Sequence, residues 1–296
     1  MKVSVLTQIH NRLDLFAETM RSVLNQTYPF YEFIIIDDGS TEDVKTLVEG
    51  FHDERLKYFP SKRIGNICKL RNLALSKATG EVVAFIDSDD LWHEDKLKLH
   101  VEDMISSNCV ISFSDCQLFD ENGSIGPSVC KKMHKQEVVI FNELVQRNQT
   151  FAFGTNLFFK RIVNGEALKF DEKLFVGEHD LITLTSARHK ATYIDQVLNQ
   201  IRRHDRNTSQ EHSIISILSP LEYNHTANKL LKERLITNRL YKKIKASNYS
   251  KVALCYVYRG RLQTGTKYLT HALLLDFTWS YFKFFLKLSW RRIVGA

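Results

Sequence analysis

The sequence predicts an α/β fold in which a mostly parallel sheet is flanked by helices and followed by an α-helical C-terminal region. Its 296 residues, 44% hydrophobic and 25% charged, are typical of a globular chain that buries a large core. Short apolar runs alternate with helical patterns up to about residue 110, as in parallel sheets with helices on both faces. From about residue 210 onward only helical patterns remain. We therefore predict a sheet domain at 1–209 and a basic helical region at 210–296.

The elements follow in order from hydrophobic spacing and capping residues. Five apolar runs have the length of buried strands, at 3–6, 33–36, 56–59, 82–86 and 110–113. Four helices are predicted between them. The first begins near Leu15, and the second follows an N-cap at Ser40 or Thr41. The third spans 68–78 and is closed by Gly80, and the fourth spans 94–106.

The cysteines and the apolar runs restrict the compartment. Five cysteines are scattered without a Cys-x-x-Cys pair, at Cys68, Cys109, Cys116, Cys130 and Cys255. Their odd number and spacing argue against a disulfide scaffold or a zinc knuckle and fit a reducing environment. The N-terminal apolar run is too short for a signal peptide, and no run approaches the roughly 20 residues of a membrane span. We expect a soluble, cytoplasmic protein.

Charge is divided unevenly along the chain. Residues 1–200 hold 23 Lys and Arg against 29 Asp and Glu, whereas residues 201–296 hold 18 against 5, so a body of −6 precedes a tail of +13. This asymmetry indicates an anionic partner, either nucleic acid or a membrane surface, or else a solvated Lys-rich helical tail.

The end of the tail favours the membrane over nucleic acid. Lys283, Lys287 and Arg291 form a basic stripe beside aromatic residues, a pattern typical of a helix at a membrane interface. A helix packed on the body or on a second copy fits the same pattern. No recognition helix or stacking platform accompanies the charge, so we predict no nucleic-acid partner. The prediction is attachment to the inner face of the cytoplasmic membrane.

Two acidic clusters follow predicted strands. Asp37-Asp38 ends the second strand, and Asp87-Ser88-Asp89-Asp90 follows the fourth. Ligands of open parallel sheets bind beyond the carboxyl ends of the strands, where these clusters would converge. Asp-x-Asp places two hard oxygen ligands on one short turn, which suits Mg²⁺ or Mn²⁺ shared with a diphosphate. A single Asp-x-Asp motif is usually an acidic loop or a helix cap. Two acidic clusters at two strand ends argue against that explanation here.

These segments resemble the family 2 glycosyltransferases, which have the GT-A (Rossmann-like) fold, use nucleotide-sugars and often build bacterial cell-surface polysaccharides. The resemblance rests on four blocks in order, at 3–12, 25–28 with 33–41, 71–72 with 80–81, and 85–92. A weaker continuation runs through 154–156, 170–172, 177–180 and 203–209. The likeness covers about residues 1–209.

The resemblance implies a role for each matching residue. The nucleotide would be held by Gln8, Ile9, His10, Asn11, Arg12, Asp38, Arg71, Asp87 and Ser88. The metal, Mn²⁺ or Mg²⁺, would be held by Asp89, with Asp87 and His204 beside it. The catalytic base would be Glu178 or Asp180; Glu178-His179-Asp180 is one residue shorter than the family pattern, which leaves both candidates open.

The function that follows is an inverting glycosyltransferase. It would move a sugar from a nucleotide-sugar, expected to be a UDP-sugar, to a hydroxyl of a glycan or lipid-linked acceptor, with a metal and a carboxylate base. Two alternatives share the acidic sheet edge. A sugar nucleotidyltransferase would need a Gly-rich, basic N-terminal loop, which residues 7–12 do not supply. A non-catalytic nucleotide- or metal-binding module would not require the second acidic cluster, which therefore argues against this alternative.

Overall fold

The computed structural model describes residues 1–129, 141, 156–205, 207, 214–278 and 281–284. The described strands are β1 (Val3–Ile9), β2 (Tyr31–Asp38), β3 (Leu56–Ser61), β4 (Val82–Phe85), β5 (Leu91–Trp92), β6 (Ile111–Asp120), β7 (Gly123–Ile125), β8 (Phe158–Lys160), β9 (Ile162–Val163), β10 (Glu166–Ala167) and β11 (Ala191–Arg202). The described helices are α1 (Leu13–Leu24), α2 (Val44–Glu49), α3 (Ile67–Lys77), α4 (Lys96–Ser107), α5 (Glu178–Arg188), α6 (Ile214–Lys232), α7 (Asn238–Tyr258) and α8 (Leu262–Leu275).

The main sheet has the predicted α/β character. Its first half is parallel, in the order β3-β2-β1-β4. The order continues as β8-β6-β11-β5, with β7 on β6. In this second half β8 is antiparallel to β4 and β6, β11 is parallel to β6, and β5 is antiparallel to β11. The predicted fold class, a mostly parallel sheet flanked by helices with a helical C-terminal region, is confirmed.

The core explains why the first strands form. All eight residues of β2 are buried, as expected for a parallel strand covered on both faces. Phe16, Met20 and Val23 of α1 lie on one helical face and belong to the same core cluster as Val3 and Val5 of β1. Burial of this apolar surface is the main stabilising contribution in this part of the chain.

Strand register brings several chain segments to one edge of the sheet. Ile9 pairs with Asp37, so β1 and β2 end side by side. On the other side of β1, Leu6 pairs with Phe85, the last residue of β4. The segments that follow β1, β2 and β4 therefore leave the sheet at the same edge.

Two predicted helix boundaries are wrong. The N-cap of α2 is Asp43, whose carboxylate accepts the Thr46 N–H at 3.0 Å, and not Ser40 or Thr41. The helix α3 has Ala78 as its C-cap, so Gly80 does not close this helix. A Cβ on Gly80 would lie 2.6 Å from the Ser4 backbone nitrogen, so glycine there allows the chain to approach β1.

The sequence patterns missed the strand β11. Its twelve residues pair with β6, but the register shifts between Ile194 and Val197 and again between Val197 and Asn199. Such irregularities break the two-residue alternation by which a strand is recognised. Asn199 is a buried polar residue in this strand, which weakens the apolar pattern further.

The chain divides into two compact units. The first consists of Met1–Lys173 and Leu181–His204 and contains the large sheet. The second consists of Leu174–Asp180 and Asp205–Ala296. The domain boundary between residues 209 and 210 stays a prediction of the sequence.

The second unit is helical where it is described. Its helices α7 and α8 approach closely at Gly265, where a Cβ would lie 2.7 Å from Val257 Cγ2. Tyr256 and Tyr268 stack between the same helices with ring centroids 5.6 Å apart. None of the described helices combines the length and the apolar character that crossing a membrane requires.

The described cysteines carry free thiols. Cys68, Cys109 and Cys116 are buried, and Cys255 is partly buried. Cys130 lies outside the described residues.

Candidate active site

The turn after β2 is organised by the two predicted aspartates. Asp37 accepts the Ser40 N–H at 2.9 Å and the Tyr58 hydroxyl at 2.6 Å. Burial, together with this hydrogen bond, raises the pKa of Tyr58 above its usual value. Gly39 has φ of +65°, and a Cβ there would lie 2.7 Å from the Arg63 backbone nitrogen. Asp37 is therefore a structural residue of the turn.

Asp38 holds the loop that follows β3. The residue is 1% exposed, and its carboxylate is ion-paired with the Arg63 guanidinium. The backbone N–H groups of Ile64 and Gly65 donate to the same carboxylate. The Asp38 carbonyl accepts from His10 Nδ1 at 3.1 Å, which assigns the proton of the imidazole to Nδ1. His10 and Asp38, both predicted to contact the nucleoside, thus lie together.

The loop after β1 has a strained backbone. Asn11 and Arg12 have φ of +61° and +66°, a left-handed conformation that is unfavourable for residues with a side chain. The Asn11 side-chain oxygen accepts the N–H groups of Thr41 and Glu42 at 2.8 and 3.2 Å. The Glu42 carboxylate in turn accepts the N–H groups of Arg12 and Leu13 at 3.3 and 3.1 Å. These contacts fix the first turn of α1.

Asp87 is shared by two side chains of the first unit. Gln8 Nε2 donates to Asp87 Oδ1 at 3.3 Å, and Arg71 Nη2 lies 3.6 Å from the same oxygen. The Asp87 side chain remains 41% exposed, although the Arg71 side chain is 1% exposed. A half-exposed carboxylate beside a buried guanidinium is suited to hold polar groups of a ligand.

Arg71 lies against two aromatic rings that pack edge to face on each other. Its guanidinium carbon lies 5.4 Å from the ring centroids of both Phe85 and Phe170. Asn72, the next residue of α3, donates to the Phe170 carbonyl at 3.0 Å and accepts the Phe170 N–H at 2.9 Å. The segment around Phe170 is thereby fastened to α3, and it fixes the position of the guanidinium.

Asp89 lies between two cationic or potentially cationic side chains. Its Oδ2 atom accepts from Arg12 Nη1 at 2.9 Å and lies 3.1 Å from His204 Nε2. The three side chains are only 12–24% exposed. The tertiary fold therefore brings together the predicted metal residues Asp89 and His204, which are 115 residues apart.

Arg202 fixes the turn that carries Asp89. Its Nε donates to the Asp89 carbonyl at 2.8 Å, and its backbone N–H donates to Asp90 Oδ1 at 2.9 Å. The guanidinium also pairs with Glu18 at 2.6 Å and lies 4.7 Å from the centroid of the Phe119 ring. Asp90 is consequently a structural residue, and the end of β11 positions both Asp89 and, two residues further, His204.

The donors at Asp89 fit a divalent cation that is shared with a diphosphate. No set of three His, Cys, Asp or Glu side chains converges on one point in the part of the chain that the structure describes. Asp89 and His204 supply one hard oxygen and one imidazole nitrogen, a combination suited to Mn²⁺. Such ions commonly take one or two carboxylates from the protein and the rest of their ligands from phosphates and water.

In the second unit, one helix face binds the segment that leads to Glu178. The Glu222 carboxylate accepts three successive backbone N–H groups, those of Phe175, Val176 and Gly177. Three consecutive N–H groups directed at one carboxylate form an anion-binding turn. Glu222 of α6 therefore fixes the backbone immediately before Glu178.

The same helix binds Asp180. Thr226 Oγ1 donates to Asp180 Oδ1 at 2.9 Å, and Lys229 Nζ donates to Oδ2 at 2.7 Å. His179 is buried against Tyr223, with ring centroids 6.2 Å apart. Burial, reinforced by Lys251, lowers the pKa of His179 to about 4, so this imidazole is neutral at physiological pH.

A protein-family model described as glycosyl transferase family 2 matches residues 4–164, which is more than half of the chain. The chain belongs to this family. The matched range contains β2 and β4, all but the first residue of β1, and the aspartates Asp38, Asp87 and Asp89. Arg202 and His204, which contact Asp89, lie beyond it. It ends before Glu178, so the family model does not cover the candidate base.

Curated relatives match stretches of 129 to 146 residues of this chain. A glycosyltransferase from Rickettsia bellii is 40% identical over 129 residues, which are 43% of this chain and 19% of that protein. TuaG of Bacillus subtilis, a putative teichuronic acid biosynthesis glycosyltransferase, is 34% identical over 146 residues, 49% of this chain and 57% of TuaG. WfgD of Escherichia coli, a UDP-Glc:α-D-GlcNAc-diphosphoundecaprenol β-1,3-glucosyltransferase, is 28% identical over 144 residues, 49% of this chain and 55% of WfgD. The matches thus span between a fifth and somewhat over half of these relatives.

Solved structures confirm the GT-A fold. Staphylococcus aureus TarS 1–349 in complex with UDP-GlcNAc has a TM-score of 0.70 at 17% identity, covering all of this chain and 92% of that one. The mannosyltransferase PcManGT of Pyrobaculum calidifontis, in complex with GDP-Man and Mn²⁺, has a TM-score of 0.60 at 15% identity, covering 97% and 84%. At these identities the likeness concerns the fold.

Most of the predicted site residues lie at the shared sheet edge or next to it. The structure joins His10 to Asp38, Gln8 and Arg71 to Asp87, and Arg12 and His204 to Asp89; Asn11 organises the loop, and Ser88 is buried in the acidic turn. Ile9 is a core residue, so its side chain provides packing. Their roles toward a nucleotide or a metal remain predictions.

Sequence reasoning missed several residues that position the site. Arg63, Glu42, Arg202 and Glu222 each bind backbone or carboxylate groups far away in the sequence. Only Arg202 had a usable signal, because it immediately precedes the Arg203-His204 pair of the family resemblance.

Proposed function

We propose that this chain is an inverting glycosyltransferase that moves a sugar from a nucleotide-sugar, a UDP-sugar by expectation, to a hydroxyl group of a glycan or lipid-linked acceptor. Its membership of family 2 and its similarity to TuaG and WfgD support a role in bacterial polysaccharide synthesis. The observation that carries the proposal is the convergence of Asp89 and His204 at 3.1 Å, beside the edge where β1, β2 and β4 end.

Residues at this edge account for nucleotide binding in the proposal. His10 stacks on the base or lies against it, and its Nδ1–H bond to the Asp38 carbonyl sets the plane of the ring. Asp38 accepts a hydrogen bond from a base N–H. It uses carboxylate lone pairs that are not occupied by Arg63 and the loop N–H groups. Arg71, which lies against both Phe85 and Phe170, offsets negative charge next to Asp87.

A bound Mn²⁺ or Mg²⁺ would be held by Asp89 and His204, near Asp87, and would stabilise the charge that develops on the departing diphosphate. Asp87 keeps an exposed carboxylate that can bind the ribose or a metal-bound water. The chain's own contribution is to hold these groups in fixed positions before the donor arrives. Arg202 does this for Asp89, while Gln8 and Arg71 do it for Asp87.

Glu178 is the proposed general base. An acceptor hydroxyl is a poor nucleophile and needs a carboxylate that takes its proton during attack. Both oxygens of Asp180 are engaged, one by the Thr226 hydroxyl and the other by the Lys229 ammonium at 2.7 Å, so this carboxylate serves to bind α5 to α6. Glu222 holds the backbone that precedes Glu178, which suits a residue that has to be positioned.

The proposed place of action is the inner face of the cytoplasmic membrane, where a lipid-linked acceptor would lie. The relative WfgD is named for such an acceptor, a diphosphoundecaprenol-linked sugar. In this chain Phe277 and Lys283 are exposed near the end of the described helices. The other two members of the basic stripe, Lys287 and Arg291, lie outside the described residues.

A donor panel tests the proposed function. The full chain is incubated with Mn²⁺ and each common UDP-, GDP- and dTDP-sugar, and release of the nucleoside diphosphate is followed with and without extracted polysaccharide precursors. Diphosphate release that requires one donor and stops in Asp89→Asn supports the proposal. Pyrophosphate release from a nucleoside triphosphate plus sugar phosphate would instead identify a nucleotidyltransferase, and binding without turnover of any donor would identify a non-catalytic module.

A further inference from the structure

The pair formed by Arg12 and Asp89 has a consequence for metal binding. Arg12 Nη1 and His204 Nε2 both lie on the same oxygen, Asp89 Oδ2, at 2.9 and 3.1 Å. In the proposed function, which this inference extends, that oxygen is a ligand of the divalent cation. A guanidinium on this oxygen and a divalent cation bound to it would be neighbouring positive charges with strong mutual repulsion.

We propose that Arg12 is a built-in counterion that competes with the divalent cation for Asp89. In the chain without ligands, the guanidinium neutralises a carboxylate whose side chain is only 12% exposed. When the cation binds, the guanidinium leaves Asp89, and the diphosphate of the donor is the anion that receives it. Metal and nucleotide diphosphate therefore bind with positive coupling, and the metal alone binds weakly.

The backbone around Arg12 supports this role. Arg12 has φ of +66° and follows Asn11, which has φ of +61°. The strained pair is held by the Asn11 side chain and by the Glu42 carboxylate, so the Arg12 side chain starts from a fixed position. Strain that the surrounding contacts maintain is commonly found at functional sites.

The partner of Arg12 is equally fixed. Arg202 holds the Asp89 carbonyl and the Asp90 carboxylate, so the acidic turn cannot withdraw easily from the guanidinium. The Arg12 side chain is 24% exposed and is the more accessible member of the pair. Exchange of partners thus requires rotation of one long side chain and no movement of the backbone.

The test measures Mn²⁺ affinity directly. Free Mn²⁺ is quantified by electron paramagnetic resonance in titrations of the full chain, with Mn²⁺ alone and with saturating UDP. Wild type is compared with Arg12→Gln and with Arg21→Gln, which removes the same charge from an exposed position of α1. Glycine tolerates positive φ, so Arg12→Gly removes the side chain without opposing the backbone and provides a second variant.

The expected result is that both Arg12 variants bind Mn²⁺ alone about 10-fold more tightly than wild type, within the usual range of coupling between two sites. The factor by which UDP tightens Mn²⁺ binding should decrease by the same ratio, and Arg21→Gln should match wild type. Unchanged or weaker Mn²⁺ binding in both Arg12 variants would overturn the inference while leaving the proposed function intact. If wild type binds no Mn²⁺ even with UDP, the metal role in the proposed function fails as well.

Discussion

Lys229 Nζ donates to Asp180 Oδ2 at 2.7 Å, and Thr226 binds the other oxygen of the same carboxylate. Both partners belong to α6, the helix that also carries Glu222, so a single helix face binds the segment from Phe175 to Asp180. The C-terminal helices therefore include a framework for the segment that carries both candidate bases. The proposed choice of Glu178 as the base rests on these structural contacts of Asp180.

The first prediction concerns these two carboxylates. Glu178→Gln should lower turnover by about 10²–10⁴-fold with donor affinity nearly unchanged, because a general base acts on the acceptor. Asp180→Asn should mainly lower the free energy of unfolding, by about 1–3 kcal/mol, because it removes the charge that binds the Lys229 ammonium. Turnover, donor affinity and urea unfolding are measured for both variants. A folded Asp180→Asn enzyme that has lost turnover beside an active Glu178→Gln enzyme would reverse the assignment.

The second prediction concerns the metal. Asp89→Asn should weaken Mn²⁺ binding in the presence of UDP by more than about 10-fold, because even changes around the ligands of a metal cost that much. Asp14→Asn, the same substitution at an exposed position of α1, is the matched control. Calorimetric titration of UDP with and without Mn²⁺ measures the effect. If Mn²⁺ changes the affinity for UDP equally in wild type and in Asp89→Asn, Asp89 is not a ligand of the metal.

A third prediction arises from a lysine buried in the first unit. Lys96 is fully buried, and its Nζ lies 3.3 Å from His100 Nε2 and 5.1 Å from the centroid of the Trp92 ring. Burial lowers the pKa of Lys96 to about 7, against a small opposing effect of Cys116. His100 bonds through Nδ1 to Ser112 at 2.9 Å, and its pKa is held well below its usual value by burial and by Lys96.

The sign of the pH dependence follows from proton counts. Between about pH 7 and pH 10.5 the unfolded chain keeps the Lys96 proton and the folded chain has lost it, so stability rises with pH in this interval. The contribution is at most about 1.4 kcal/mol per pH unit and disappears below pH 7, where both states are protonated. Lys96→Met should flatten the rise, whereas Lys98→Met, at an exposed position of the same helix, should preserve it. The free energy of unfolding is measured with urea at pH 7, 8 and 9. If it rises equally with pH in Lys96→Met and in wild type, the prediction is contradicted.

The fourth prediction concerns the membrane. The full chain should float with anionic vesicles at low salt and be released as salt rises, because each cation near such a surface contributes about 1 kcal/mol that salt screens. Replacing Lys283, Lys287 and Arg291 by Glu should abolish flotation. The control replaces Lys57, Lys98 and Lys169, exposed lysines of the first unit, by Glu. Equal flotation of the two triple variants would show that the basic stripe does not hold the membrane.

Local chemistry accounts for the part of the molecule that was predictable. Strand β2 is recognisable because Phe33–Ile36 form a continuous apolar run, which only a strand covered on both faces requires. The acidic turn from Asp87 to Asp90 follows β4 directly, so its position at the sheet edge follows from the strand order. The helical C-terminal region is likewise visible in the spacing of its apolar residues.

The sequence by itself therefore determined the α/β class, the strands β1 to β4 and the acidic groups that follow them. Only the tertiary structure decided which distant groups those acids meet: Arg12 and His204 at Asp89, and Lys229 at Asp180. The reason is that apolar periodicity and capping act between residues a few positions apart, whereas a side-chain contact across 115 residues depends on strand order and register. The same dependence hid β11, whose shifted register erases its alternation and whose end positions both Asp89 and His204.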